Sequence, residues 1–340
     1  MRYYTPYGSF WPYGDPRYYM AVQEEKKQIR KESNRLGWTA FLGIFLLSAL
    51  PLVFMRYLRM LQPNQPGFEA FGGVNPVLYY LIFSLGYLLG LAVPVLLYFA
   101  LRRIPFSAGL PFRKIGVVKT CALIFLGGAG CMLANIPANI VINLEQFFGF
   151  SGNIPDMPLN DNPAVLILYV LSIVVIPPIV EEMMFRGMIL QGLRRFGNGF
   201  AIVASAVLFG LYHGNLAQTV FAFLCGLILG FVVIRTNSLL PSILIHALNN
   251  GISVAIQFVE RYRGTDAAVY VNNIETNVLL VLALISLLYF WFKDRNFFRP
   301  RVSASPLRFS QKLGALFSNP GIIMIVLYSA FTSVYILTAA

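Results

Sequence analysis

The chain has 340 residues, of which 57% are hydrophobic and only 12% charged, against ~25% charged in an average soluble domain. That balance excludes an ordinary water-soluble globule and a disordered chain, because neither keeps so much apolar surface in water. The formal net charge of +12 arises from 26 Lys and Arg against 14 Asp and Glu, and where those groups fall decides what the charge means.

In chain order, residues 1–36 read as an aromatic and basic tail. Tyr3, Tyr4, Tyr7, Phe10, Trp11, Tyr13, Tyr18 and Tyr19 stand among Pro and Gly, and a polar run follows from Gln23 to Arg35. This is not the pattern of a secretory leader; disorder or interfacial anchoring is expected. Nine apolar stretches come next, at about 37–55, 76–100, 116–142, 163–181, 199–217, 218–234, 240–258, 274–292 and 321–340. Each is near the ~20 residues a helix needs to cross hydrocarbon. The expected fold is therefore all-α: a polytopic integral membrane bundle of eight to nine helices. Accessory helices occupy 37–162, a core occupies 163–258, and a C-terminal part at 259–340 carries a basic stretch over 293–320.

The basic residues thread this bundle. Twenty-two of the 26 lie in the N-terminal tail and in alternate connections: Arg102, Arg103, Arg113, Lys114 and Lys119; Arg186, Arg194 and Arg195; Arg235; and six from Lys293 to Lys312. The opposite connections hold only Arg56, Arg59, Arg261 and Arg263. Cytoplasmic loops carry the Lys and Arg excess in membrane proteins, so the N-terminus is expected in the cytosol. The positive charge is then a topology signal, and no nucleic-acid partner is expected. Gly86 with Gly90, and Gly226 with Gly230, have the small-xxx-small spacing that lets membrane helices approach closely. Cys121, Cys131 and Cys225 lie in apolar runs without ligand spacing and read as free thiols.

Polar groups inside hydrocarbon are expensive and mark function. Twelve of the fourteen acids fall in tails, loops or a span edge, which leaves the adjacent pair Glu181 and Glu182. The chain's two histidines, His213 and His246, also fall in apolar runs. Residues four apart share a helix face. Arg186 can therefore pair with Glu182, Phe209 can pack beside His213, and His246 can project with Asn250. Glu181 is left as a general base, and a His N–H with an Asn amide suits an oxyanion. If a Pro177/Pro178-kinked helix runs from about 163 to 195, Glu181 lies ~20 Å from its far end, level with His213. The cluster then sits within the membrane, opening toward the cytosol.

Glu-Glu-x-x-x-Arg at 181–186, Phe-x-x-x-His at 209–213 and His-x-x-x-Asn at 246–250 together resemble the motifs of the CAAX protease and bacteriocin-processing (CPBP) family. These are intramembrane proteases related to the type II CAAX prenyl endopeptidase. The resemblance covers roughly 163–255. It implies a membrane endopeptidase in which Glu181 and His213 activate water, His246 and Asn250 stabilise the oxyanion, and Glu182, Arg186 and Phe209 support them. A peptide or lipidated protein is the implied substrate, membrane lipids are partners, and a bacterial cell membrane is the expected location. No cofactor is expected. The alternatives are a zinc-dependent protease using Glu181, His213 and His246, a non-catalytic bacteriocin-immunity or peptide-binding protein, and a proton-coupled transporter. Absence of a second intramembrane acidic site and of a repeat relating the halves weighs against the transporter.

Overall fold

The computed structural model describes residues 3–4, 10–11, 16–61, 67–150, 157–299 and 305–338. Much of the aromatic N-terminal segment, including Tyr7 and Tyr13, lies outside the described residues. Apart from a two-residue pairing of Tyr3–Tyr4 with Phe10–Trp11 and an isolated bridge between Phe112 and Ser238, the described residues form helices and their connections.

The helices are α1 (Pro16–Leu61), α2 (Pro76–Arg102), the single turn α3 (Phe106–Gly109) and α4 (Val117–Phe147). A long rod follows, made of α5 (Pro163–Val170), α6 (Ile176–Glu182) and α7 (Leu190–Arg194), joined by π-helical segments at Leu171–Val175 and Met183–Ile189. Then come α8 (Asn198–Tyr212), α9 (Leu216–Thr236), α10 (Leu240–Arg263), α11 (Thr265–Lys293), α12 (Phe309–Phe317) and α13 (Pro320–Thr338). Among the described residues eight helical segments are long and apolar enough to cross a membrane, and α8 is a shorter apolar ninth. The polytopic all-α bundle expected from hydropathy is the fold. Two details differ from the sequence reading. The polar run 23–35 is not a separate tail, because it continues into the first span as one helix. The adjacent stretches at 199–217 and 218–234 are α8 and α9, divided at His213 and Gly214, whose positive φ of 63° suits the reversal.

Helix starts follow local chemistry. Asn75 and Asn162 each precede a proline, and their side chains accept from the backbone N–H groups of Val77 at 3.0 Å and Ala164 at 2.9 Å. Asn215 caps α9 in the same way through Gln218 at 3.0 Å. An Asn cap followed by Pro satisfies donors that the first turn leaves orphaned. Close helix contacts use the small residues. A Cβ on Gly90 would stand 2.7 Å from the backbone nitrogen of Leu47, and one on Gly226 would stand 2.9 Å from Ala206 Cα. Thus α2 meets α1, and α9 meets α8, nearly backbone to backbone.

The largest buried apolar cluster gathers Ile189, Leu193, Phe196, Val233, Leu239 and Leu316, among others. It runs from those residues, near Arg194 and Arg235, along the bundle to Phe209, Tyr212 and Ala222 beside the end of α8. The amphipathic α12 lies over it, with Lys312 donating to the carbonyl of Phe196 and standing 3.7 Å from Glu25. Burial pushes the Lys312 ammonium below its ordinary pKa, with the Glu25 carboxylate working against that shift.

Candidate active site

Pro177 and Pro178 lack N–H groups, so the carbonyls four residues earlier lose their helical donors. A π-helical turn precedes Pro177 and a second follows Glu182, and side chains from other helices donate to carbonyls in both. Asn250 Nδ2 donates to the Ile173 carbonyl at 2.9 Å, and Ser205 Oγ donates to the Phe185 carbonyl at 2.7 Å. The proline kink thereby docks α10 onto the rod that carries the two glutamates, and Ser205 ties α8 to the rod further along.

Glu181 and Glu182 are both buried at the end of α6. Arg186 is fully buried and donates from Nη1 to Glu182 Oε1 at 2.8 Å, the i,i+4 pair expected from spacing. Its guanidinium also lies over the Phe209 ring, 4.1 Å from the centroid. His246 reaches across from α10, with Nδ1 at 3.3 Å from the same Glu182 oxygen. A carboxylate only accepts, so Nδ1 carries the proton. His246 Nε2 then faces Glu181 Oε2 at 3.7 Å, and it donates to a developing oxyanion only as the imidazolium. Phe209 meets both imidazoles edge-on, at 5.0 Å from His213 and 5.8 Å from His246.

His213 ends α8, and its Nδ1 lies 2.8 Å from the carbonyl of Phe209. That carbonyl holds the Nδ1 proton, so the neutral ring presents an unprotonated Nε2. Glu181, His213, His246 and Asn250 all line one cavity of about 340 Å³. Glu182 and Arg186 lie behind this wall. Asn250 is not a free donor pair with His246: its amide nitrogen is tied to Ile173, and its oxygen accepts from Asn249 at 3.3 Å.

Sequence reasoning missed two tyrosines. The Tyr87 hydroxyl, on α2, donates to Glu181 Oε1 and stands 2.7 Å from the hydroxyl of Tyr212. Glu181 therefore has a partner from another helix, where helical spacing left it bare. The only hint in the sequence was a phenol inside an apolar span, which carries no spacing to a site 94 residues away. Asn249, Ser253 and Gln218 also line the cavity.

Among the described residues no three or more His, Cys, Asp and Glu side chains are grouped to hold an ion. Of the three residues of the zinc alternative, Glu181 and His246 face each other, Oε2 at 3.7 Å from Nε2, while His213 is held through Nδ1 by the Phe209 carbonyl.

Residues 163–252 match the family model described as type II CAAX prenyl endopeptidase Rce1-like. The segment that carries the site is thus similar to that family's model. This is the resemblance drawn from the three motifs, and it covers about a quarter of the chain. The matched segment begins at the first residue of α5 and ends just past Asn250, so it contains every motif residue. Tyr87 lies on α2, outside it. No curated protein and no solved structure matches the chain.

Proposed function

We propose that this protein is an intramembrane endopeptidase of the CAAX type that hydrolyses a peptide bond of a membrane-associated or lipidated peptide with a water held between Glu181 and His213. The observation that carries the reading is the Glu181 carboxylate, held by the Tyr87 hydroxyl in a cavity it shares with His213, His246 and Asn250. A carboxylate on the wall of a polar hollow in hydrocarbon is costly unless it is used, and the match to a CAAX endopeptidase model names the reaction class.

The residues divide the work as follows. Glu181, or the unprotonated Nε2 of His213, takes a proton from the water as its oxygen adds to the scissile carbonyl carbon. The carbonyl π electrons move to oxygen, and the imidazolium of His246 and the remaining amide N–H of Asn250 receive that negative charge. The intermediate collapses, the C–N bond breaks, and the proton held by the general base passes to the leaving amine. Arg186 neutralises Glu182, and Glu182 keeps the His246 ring turned with Nε2 toward the cavity. The chemistry is proposed as metal-free and without cofactor.

A substrate trap tests the reading. Glu181→Gln protein purified from its host membrane is expected to bring down full-length peptides that wild type releases as fragments. Wild-type cleavage is expected to persist in the presence of a chelator. Equal recovery of intact peptide with both forms supports the immunity or sequestration alternative, and loss of activity on chelation supports the zinc one.

A further inference from the structure

A groove of about 390 Å³ lies between α4, α9 and the end of α11, on residues that the catalytic cavity does not use. Every side chain lining it is apolar. Gly130 hollows the α4 wall, where a Cβ would stand 2.7 Å from Ile228 Cδ1. Along α4 the lining runs from Leu123 to Gly130, ~10 Å at 1.5 Å per residue, so the groove follows the helix lengthwise. Leu287 and Phe298, which also line it, are each close to half exposed, so it opens on the surface of the bundle. Water finds no partners on such walls, whereas a hydrocarbon chain packs against them.

One end of the groove is charged. Lys119 Nζ lies over the Phe297 ring, 4.8 Å from the centroid, and the Arg235 guanidinium stands 5.2 Å from the same ring and 6.0 Å from that of Phe231. Both rings line the groove. Lys119 gives one of its three N–H donors to Asp294 at 2.7 Å, and Arg235 donates to the carbonyls of Asn296 and Arg299. These contacts gather the start of α4, the end of α9 and the turn after α11. Lys114, Lys293, Arg295 and Arg299 are exposed in the same segments. The six cations stand with one carboxylate, that of Asp294. Trp291 is exposed beside them, 5.6 Å from the Arg295 guanidinium, and exposed Trp marks headgroup depth in a membrane helix.

The ligand that fits this shape carries an anionic headgroup on a hydrocarbon chain. A free anion would leave the groove unfilled, and a neutral lipid would leave the cations unused. Basic pockets between membrane helices take anionic lipid headgroups. We propose that this is a binding site for an anionic phospholipid, with its phosphate beside Lys119 and Arg235 and one acyl chain lying along the groove toward Gly130. The site stands independently of the endopeptidase reading. Cys131 on α4 and Cys225 on α9 line the catalytic cavity, so the lipid braces two helices that also wall the active site.

Brominated lipids locate the chain. Phe298→Trp is placed in the full-length protein with Trp11, Trp38 and Trp291 replaced by Phe, which leaves one fluorophore on the groove. Its quenching is compared in phosphatidylcholine vesicles holding equal fractions of dibrominated phosphatidylglycerol or dibrominated phosphatidylcholine. Phosphatidylglycerol is expected to quench at a far lower mole fraction, and Lys119→Gln to weaken that preference about fivefold. High salt should weaken it too, a test that needs no further variant. Equal quenching by the two lipids overturns the proposal, as does a preference unchanged both by Lys119→Gln and by salt. Relief of quenching by farnesol but not by unbrominated phosphatidylglycerol gives the groove to an isoprenoid chain and also overturns it. No arm requires cleavage, so failure here is distinct from failure of the protease reading.

Discussion

The Tyr87 hydroxyl donates to the Glu181 carboxylate from a helix outside the matched core. It fixes one oxygen of the carboxylate proposed as the general base and leaves the other toward His246. A hydrogen bond to a charged group contributes about 1.5–3 kcal/mol, or about tenfold to a hundredfold in rate. Tyr87→Phe is therefore expected to lower kcat by that factor with little change in KM or in thermal stability. Steady-state cleavage in detergent or liposomes measures it, and an unchanged kcat removes Tyr87 from the site.

Arg186 and Glu182 form a fully buried pair. Removing one partner of such a pair strands a charge, at a cost of about 3–5 kcal/mol. Arg186→Met is expected to destabilise the protein by that amount in detergent denaturation. The double variant Arg186→Met with Glu182→Gln should regain part of the loss. Additive losses would mean that the pair is not coupled.

Pro177 and Asn250 are linked through the Ile173 carbonyl. Asn250→Ala leaves that carbonyl without its donor, at a cost of about 1–3 kcal/mol. Pro177→Ala restores an in-helix N–H and is expected to rescue much of the stability, though not the activity. Denaturation midpoints of the two single variants and the double variant test this, and equal instability with and without Pro177 contradicts it.

In the connection before α5, Asp161 accepts from Arg261 Nη2 and from the Tyr262 hydroxyl, each at 3.1 Å. Those hydrogen bonds, that of Arg261 first, hold the Asp161 carboxyl below its ordinary pKa. A depressed carboxyl contributes stability that is present above the ordinary carboxylate range and is lost as pH falls through the lowered value. The group is exposed, so the effect is small. Stability of Asp161→Asn should change less than wild type on going from neutral to acidic pH; identical profiles contradict the contact.

The spans and the clustering of the motif residues were legible because burial in hydrocarbon forces them into the sequence: apolar length and scarce ionisable groups. The Glu182–Arg186 pair and the Phe209–His213 contact follow from helical spacing alone. Tyr87 was not legible, since a contact between distant helices leaves no periodic trace. Pro177 foretold a kink but not the π-helical turns, nor that Asn250 would give its amide to Ile173.

The role of Glu181 is tested most directly by peptide turnover in proteoliposomes, comparing wild type with Glu181→Gln at matched amounts of folded protein. Glutamine keeps the size and a hydrogen-bond acceptor for Tyr87 but cannot take a proton from water. The expected result is loss of cleavage with peptide binding retained; cleavage at the wild-type rate would contradict the assignment of Glu181 as the base.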